Sequence, residues 1–300
     1  MGKRLQKLAF LTLINAKFHT FIIMKKVVSL IFLLCCFFTT VTSQVKEFGL
    51  FAGGAYYRGE LNRTHFSQTD YAIGGIFKQD FPNDRISLRF QLLFNQVKAD
   101  DFKSGNIQQL NRNLSFKSSV VEFGPMLEID FFKFHPGQNN TAKAAFGTPY
   151  FMGGINIMRM NPKTRYNGEW IELQPLGTEG QGTSLTAQKK YSLNQIVIPF
   201  GIGIKVNLSH HSSFSMEYGF RKTFTDYLDD VSGLYPNLTV LEAESGTLAR
   251  VLSDRARTPE GVNQSSYGLQ RGNPADKDWY TVFGFSLTYE FFSDSTCPSW

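Results

Sequence analysis

Residues 196–208 read IVIPFGIGIKVNL, and a large apolar side chain occupies every second position of this stretch. The even positions from Ile196 to Leu208 are all apolar, whereas the odd positions after Val197 carry proline, glycine, lysine or asparagine. A period of two is typical of a β-strand with one apolar face, because successive side chains point to opposite faces. This stretch therefore predicts a long strand with one apolar face and one polar face.

The same alternation recurs along the chain and predicts eight strands. The assignment of the two faces stays open only in the fifth, where apolar side chains occur on both. The eight predicted strands are Glu47–Tyr57, Tyr71–Gln79, Ile86–Phe94, Ser119–Phe131, Tyr150–Met160, Ile196–Leu208, Ser213–Phe224 and Trp279–Phe291.

Two architectures fit such strands: a soluble lipocalin-like barrel and a transmembrane barrel. They differ in whether the apolar face points inward or outward. Glycine and other small residues crowd the polar face, as in Gly201, Gly203 and Gly284, and this suits the interior of a narrow barrel. Aromatic residues such as Tyr71 and Trp279 stand at strand ends, where the girdles of membrane barrels lie. We therefore predict an all-β fold, an eight-stranded antiparallel transmembrane β-barrel in the bacterial outer membrane, in contact with its lipid.

The connections between the predicted strands alternate in length, as they do in outer-membrane barrels. Residues 80–85 and 209–212 are short and predict periplasmic turns, whereas residues 161–194 and 225–278 are long and predict extracellular loops. Both termini would then be periplasmic. Residues 132–147 are the exception, because they are longer than a turn requires.

The alternation also assigns ten charged side chains to the lumen. A charge on the lipid side would cost about 2–4 kcal/mol at the midplane, so a polar core held by salt bridges is expected instead. Two of the ten, Glu217 and Arg221, are four residues apart on one face and could pair through a neighbouring strand. The ten are Glu47, Lys78, Arg89, Glu122, Glu128, Asp130, Lys205, Glu217, Arg221 and Glu290.

The net charge of +6 belongs to the N-terminal segment, because residues 1–43 hold six basic side chains and no acidic one. The remaining residues, 44–300, therefore carry 25 basic and 25 acidic groups, which argues against nucleic-acid binding. From Met24 the chain resembles a secretory signal, and we expect translation to start there and cleavage to follow Ser43. An N-terminal membrane anchor is the alternative. The predicted organisation is then a leader at 1–43, a barrel at 44–292 and a periplasmic tail at 293–300, in which Cys297 has no intramolecular partner.

Candidates for catalysis or metal binding are weak. His65 and Ser67, like His211 and Ser213, have a spacing that a lipid hydrolase could use for base and nucleophile, but His65 falls in a predicted loop and His211 in a predicted turn. Asp226, with Asp229 and Asp230, offers oxygen ligands without the regular spacing of a calcium loop. No nucleotide or zinc motif occurs. The sequence therefore predicts a protein that is not an enzyme, with no catalytic residue, metal or cofactor.

Several stretches resemble a known family. They are YRGELN at 57–62, PFGIG at 199–203, FRKTFTDYLDDVS at 220–232, QRGN at 270–273 and DWY at 278–280. Over about residues 45–292 they are similar to the PorG-like outer-membrane proteins of the Bacteroidota. The resemblance implies a small barrel associated with type IX secretion and gliding, in contact with a periplasmic ring made of a lipoprotein and its partner.

If such a ring is the partner, the long turn at 132–147 and the tail should provide the contact. The candidate residues are Lys133, Phe134, His135, Asn139 and Trp300. The long turn is equally well explained as a tolerated insertion. Two other functions stay open: a surface protein whose long loops bind an external ligand or shield the envelope, and an outer-membrane lipid hydrolase that uses His65 and Ser67.

Overall fold

The computed structural model describes residues 46–136, 145–257 and 266–292. The predicted leader, Asn139, Cys297 and Trp300 lie outside these ranges. Ten strands are present in the described part of the chain. They are β1 Lys46–Arg58, β2 Asp70–Asp80, β3 Ile86–Asp100, β4 Ser115–Asp130, β5 Gly147–Gly154, β6 Asn156–Tyr166, β7 Glu169–Glu172, β8 Asn194–Asn207, β9 Ser212–Thr223 and β10 Trp279–Phe292.

The strands form one closed antiparallel ring. β1 pairs with both β2 and β10, and the sheet continues through β9 and β8 to the β5–β6 segment, then through β4 to β3 and back to β2. Each long strand therefore has a neighbour on both sides, which satisfies the backbone groups of the wall. The prediction of an eight-stranded antiparallel barrel is confirmed, with each predicted strand inside the ring.

β5 and β6 are one strand of the ring with a break at Ile155. The pairing registers with β4 and with β8 continue unchanged across the break. The residue opposite Ile155 on β4 is Pro125, which accepts a hydrogen bond from the Ile155 N–H at 3.2 Å but has no N–H to return one. The phase that the sequence left open is now defined, because Tyr150, Met152 and Met158 face inward and are buried.

The outer wall is apolar and the lumen is polar. Ile202, Phe285 and Leu287 are 57%, 51% and 53% exposed at mid-strand, whereas the charged Arg89 and Lys205 are 1% and 2% exposed. Outward aromatic rings lie at both ends of the wall, where they match the interfacial girdles of a membrane barrel. They are Phe48, Phe131, Tyr289 and Phe291 at one end and Phe66, Tyr71, Phe224 and Trp279 at the other.

The two ends of the barrel differ. At one end, which we call the turn end, the chain enters β1, leaves β10 and makes the short turns 81–85 and 208–211. At the other end, the described parts of 59–69, 101–114, 167–193 and 224–278 fold into what we call the cap. The cap contains a 3₁₀ turn and three helices, Asp101–Lys103, α1 Ile107–Arg112, α2 Leu238–Ser245 and α3 Thr247–Ser253. No helix in the described ranges has the length and apolarity needed to cross a bilayer.

Glycines let neighbouring strands of the narrow barrel approach one another. A Cβ on Gly53 of β1 would lie 2.0 Å from the carbonyl oxygen of Phe283 on β10, whereas a Cβ on the outward-facing Gly75 of β2 would meet nothing within 4 Å.

We predict that Gly53→Ala lowers the free energy of unfolding by about 1–3 kcal/mol, because the added methyl overpacks the seam. Gly75→Ala is the matched control and should change it by less than about 0.5 kcal/mol. Urea unfolding in lipid vesicles measures both, and equal effects would contradict the packing argument.

Candidate functional site

The ten charged side chains that the sequence assigned to the lumen are all directed inward in the structure. Each is at most 5% exposed, and they come from seven of the eight ring strands. The structure adds Asp80 and the hydroxyls of Tyr150 and Tyr280, which the alternation alone did not single out. The lumen is therefore a network of charges and hydrogen bonds that fills the barrel.

Arg89 lies at the centre of this network. Its Nη1 and Nη2 donate to Oε2 and Oε1 of Glu217 at 2.6 and 3.1 Å, and Nη1 also donates to Glu128 Oε1 at 3.1 Å. The Tyr150 hydroxyl donates to Glu217 Oε2 at 3.1 Å. Because β3 and β9 are not neighbours in the ring, the Arg89–Glu217 pair bridges the lumen from wall to wall.

Two lysines hold the network together towards the turn end. Lys205 Nζ lies 2.9 Å from Asp130 Oδ2 and 3.4 Å from Glu128 Oε2, and Lys78 Nζ lies 2.7 Å from Glu47 Oε1. The hydroxyl of Thr288 also donates to Glu47. Nearer the mouth, Glu290 Oε2 lies 3.7 Å from Nδ1 of the exposed His211.

Towards the cap, Glu122 is the anion that faces Arg221. Tyr280 and Asn156 donate to its two carboxylate oxygens at 2.7 and 2.6 Å, and Arg221 Nε lies 3.6 Å from Oε2. The expected pairing of Glu217 with Arg221 is not found, because Glu217 bonds Arg89 instead. Four residues along a tilted strand separate the two side chains along the barrel, so each meets a charge on a different strand.

The residues proposed for partner contact divide between the surface and the barrel mouth. Lys133 is exposed, but Phe134 is 3% exposed, and its ring lies 5.0 Å below Lys205 Nζ. The Phe134 ring therefore packs beside the lumen network and is not exposed to a partner, which corrects the expectation for this residue. His135 is half-buried, and its carbonyl accepts a hydrogen bond from Asn207 Nδ2 at 3.0 Å.

The histidine considered as a catalytic base contacts two tyrosines. His65 Nδ1 lies 2.8 Å from the hydroxyl of Tyr56 and 3.3 Å from that of Tyr218, on the outer face of the barrel. The main-chain carbonyl oxygen of Ser67 accepts a hydrogen bond from Asn62 Nδ2 at 3.5 Å. No hydrogen bond between His65 and Ser67 occurs among the described contacts, so this pair does not form a nucleophile and base in the structure.

The cap brings together stretches that are far apart in sequence. Glu60 follows β1, Asp226 follows β9 and Asp278 precedes β10, yet one carboxylate oxygen of each lies within 4.8 Å of the others. Asp229 is next to them, because the Tyr57 hydroxyl is 2.6 Å from both Asp229 Oδ2 and Asp278 Oδ1. We call Glu60, Asp226, Asp229 and Asp278 the acidic cluster. All four lie in or beside the stretches that carry the family resemblance.

A second buried group stabilises the cap beside this cluster. Arg271 Nη1 lies 2.8 Å from Glu179 Oε1, and Arg271 Nη2 lies 3.8 Å from Asp230 Oδ2. Tyr191 donates to Asp230 Oδ1 at 2.6 Å, so this aspartate is paired and hydrogen-bonded. Asp230 therefore has a cation and a hydrogen-bond donor of its own and is not part of the acidic cluster, although the sequence grouped it with Asp226 and Asp229.

Burial perturbs the acidic cluster. It raises the pKa of Asp226 to about 6 and raises the pKa of Asp229 and of Asp278 well above the ordinary value. The nearby carboxylate of Glu60 adds to the rise in the pKa of Asp229, since like charges disfavour ionisation. The cations that face the cluster are Arg112 on α1, which is paired with Asp101, and the exposed Lys277.

An apolar outer wall around a salt-bridged lumen defines this chain as a transmembrane β-barrel of the outer-membrane type. The protein belongs to the family DUF6089, described as a domain of unknown function, whose model matches residues 25–246. That description names neither an activity nor a partner. No curated protein sequence matches the chain.

Solved structures similar to the chain include outer-membrane barrels of other bacteria. Neisserial surface protein A is 10% identical, with a TM-score of 0.36 over 83% of this chain and 96% of its own. Ail of Yersinia pestis, in complex with the heparin analogue sucrose octasulfate, is 6% identical, with a TM-score of 0.39 over 83% and 100%. OprG of Pseudomonas aeruginosa is 10% identical, with a TM-score of 0.37 over 83% and 98%.

The central pair provides a test of the lumen network. We predict that Glu217→Gln lowers the free energy of unfolding by about 3–5 kcal/mol, because Arg89 loses its main buried counter-charge. The double variant Arg89→Met, Glu217→Leu should recover most of this loss. Glu242→Gln removes the exposed contact with Arg250 at 2.8 Å and should cost less than about 1 kcal/mol. Urea unfolding in detergent micelles measures all three, and a loss below 1 kcal/mol for Glu217→Gln would show that the pair does not stabilise the barrel.

The cap should lose stability as pH rises, measured in EDTA so that no divalent ion competes with protons for the acidic cluster. Its carboxyls have raised pKa values in the folded state, so the folded chain binds more protons than the unfolded chain, whose aspartates titrate near 3.8. The stabilisation is complete below about pH 4 and is lost as pH rises through about 6 for Asp226, and at higher pH for Asp229 and Asp278. The urea midpoint should fall over this window in EDTA, and Asp226→Asn should flatten the fall. A midpoint that rises with pH would refute the sign.

Proposed function

We propose that this chain is a non-enzymatic outer-membrane barrel, a component of the type IX secretion and gliding machinery that contacts a periplasmic ring, with its turn end in the periplasm. The observation that carries the proposal is the Arg89–Glu217 bridge across the lumen, with Glu128 bound to the same guanidinium. A barrel bridged at mid-height does not provide a wide channel. Its function therefore depends on what its two ends bind.

Sequence resemblance supplies the link to secretion. The stretches at 57–62, 220–232, 270–273 and 278–280 are those that resemble the PorG-like proteins, and in the structure they meet in and under the cap. In that family the expected partner is a periplasmic ring of a lipoprotein and its associated protein. The first and last strands of the barrel both have their outer termini at the turn end, since β1 begins there and β10 finishes there.

The proposed contact surface lies at the turn end around the long connection. Phe132 and Lys133 are exposed there, and His135 is half-buried beside them. Asn139 and Trp300 remain candidates from the sequence. Phe134 has a different role in this proposal, since its buried ring holds the segment against Lys205 and so presents its neighbours outward.

Two deletions of equal length test this proposal. Joining Pro136 to Ala145 removes eight residues at the turn end, and joining Arg257 to Ser266 removes eight at the cap end. We predict that the first deletion abolishes co-purification of the tagged barrel with the periplasmic ring and that the second leaves it intact. Heat-modifiable migration on gels verifies that both barrels are assembled.

A strain that lacks the whole chain should also fail to secrete type IX cargo. Normal secretion by that strain would refute the secretion role. Retained co-purification in the first deletion would exclude residues 137–144 from the contact surface.

The alternative function, binding of an external ligand, is favoured by one observation. The cap is folded around its own buried group, in which Arg271 contacts Glu179 and Asp230, and this is more structure than loop closure needs. If the eight-residue cap deletion abolished a surface-binding phenotype while secretion stayed normal, this alternative would replace the first. The contacts of His65 with Tyr56 and Tyr218 give no support to a lipid hydrolase.

A further inference from the structure

When ionised, the acidic cluster carries negative charge for which the described residues supply no paired cation. Its carboxylates belong to Glu60, Asp226, Asp229 and Asp278, and the last three are buried at 3%, 1% and 0% exposure. No salt bridge to any of the four is found in the described ranges, whereas the buried lumen acids Glu47, Glu128 and Glu217 each have one. Buried carboxylates are normally paired or bound to metal, so this cluster stands apart from the rest of the molecule.

Hydrogen bonds within the protein do not compensate this charge. The Tyr57 hydroxyl lies 2.6 Å from Asp229 Oδ2, 2.6 Å from Asp278 Oδ1 and 3.3 Å from Glu60 Oε2. A phenol has one proton and can donate to only one of these three carboxylates at a time. Close approach of the others requires a positive charge or further protons at the same place.

Asp226 is the strongest indication of a ligand site. Neither of its carboxylate oxygens has a hydrogen-bond partner among the described residues, and Ser232 approaches them without meeting hydrogen-bond geometry. One of these oxygens nevertheless lies within 4.8 Å of ligand oxygens from Glu60 and Asp278. A buried, unpartnered carboxylate is thus directed into a space that two other carboxylates share.

We propose that the acidic cluster is a cation site in which Glu60, Asp226 and Asp278 bind Ca²⁺. Asp229 is a positioning residue, since it contacts the site through Tyr57, and its Oδ1 is held by the main-chain N–H of Val231 at 2.9 Å. The expectation of no metal, made from the spacing of Asp226, Asp229 and Asp230, is replaced because two of the three ligands come from other parts of the chain.

The donor set favours Ca²⁺ over other cations. All the donors are oxygens, and oxygen donors select hard cations. The three carboxylates together carry more negative charge than one divalent ion neutralises. Mg²⁺ requires near-ideal octahedral geometry, whereas Ca²⁺ takes six to eight oxygen ligands, waters among them, in flexible geometry. Asp226 and Asp278 hold the buried side of the site, and Glu60, which is half-buried, provides the side from which an ion and its water ligands enter.

Neighbouring groups fit the same assignment. The main-chain N–H of Asn273 donates to Glu60 Oε1 at 3.0 Å, and that of Leu228 donates to Asp278 Oδ2 at 2.9 Å. These bonds orient each carboxylate while leaving its other oxygen turned towards Tyr57. In ligand carboxylates such outer bonds set the direction of the metal-binding oxygen.

Calorimetry on the folded full-length chain tests this inference. The protein is refolded in detergent micelles free of lipopolysaccharide, which itself binds divalent ions, then treated with EDTA and titrated with CaCl₂ and separately with MgCl₂. We expect one saturable Ca²⁺ site for each chain. Asp226→Asn should weaken Ca²⁺ binding at least about tenfold, because it removes a charged ligand.

The control variant is Glu242→Gln, which removes an acid from α2 of the same cap and should leave binding unchanged. In EDTA, Asp226→Asn should also unfold no earlier than the parent, because the substitution relieves repulsion among the carboxylates. Substitution of an aspartate with a purely structural role would instead make the protein unfold earlier. If this variant fails to assemble, Glu60→Gln at the half-buried side gives the same test. The absence of a saturable site, unchanged affinity in both variants, or Mg²⁺ binding of equal strength would overturn the assignment. None of these outcomes depends on the secretion role.

Discussion

Closure of the strand ring is the constraint on which the rest of this structure depends. A strand in hydrocarbon has no water to satisfy its backbone groups, so every strand must have a neighbour on both sides. Eight strands meet this requirement with a narrow interior, and Gly53 and Gly284 lie face to face across the β1–β10 seam, where side chains do not fit. Large apolar side chains such as Ile202 and Leu287 lie on the outer wall, where lipid accepts them.

The same narrowness explains the charges inside. Lumen side chains from opposite walls reach one another, so Arg89 can bond Glu217 and Glu128 together, and Lys205 can bond Glu128 and Asp130. An unpaired charge in this place would carry a large desolvation penalty, whereas a shared carboxylate such as Glu128 contacts two cations at once. The network thus links strands that are not adjacent and stiffens the ring from within.

Alternation along the sequence was sufficient to predict the strands and their faces, because the period of two reflects a purely local geometry. Stretch 196–208 is the clearest example, and only the fifth strand, with apolar residues on both faces, needed the structure to define its phase. Pairing partners were beyond reach, since they depend on register around the whole ring. Glu217 therefore bonds Arg89, 128 positions away, and not Arg221 on its own face. The sequence of the cap has no periodic pattern of apolar residues from which its fold could be predicted. Its central contact joins Tyr57 to Asp278, which are 221 positions apart.

The position of Tyr57 has a consequence for the order in which the molecule is made. It is the penultimate residue of the first strand, and Asp278 immediately precedes the last strand, whose Trp279 pairs with Arg58. Their hydrogen bond can form only after the first and last strands have met, when almost the entire chain has been synthesised and inserted. The core of the cap consequently forms late in biogenesis. In a barrel whose first and last strands have not paired, Tyr57 and Asp278 stay apart, and only the closed barrel presents a completed cap surface.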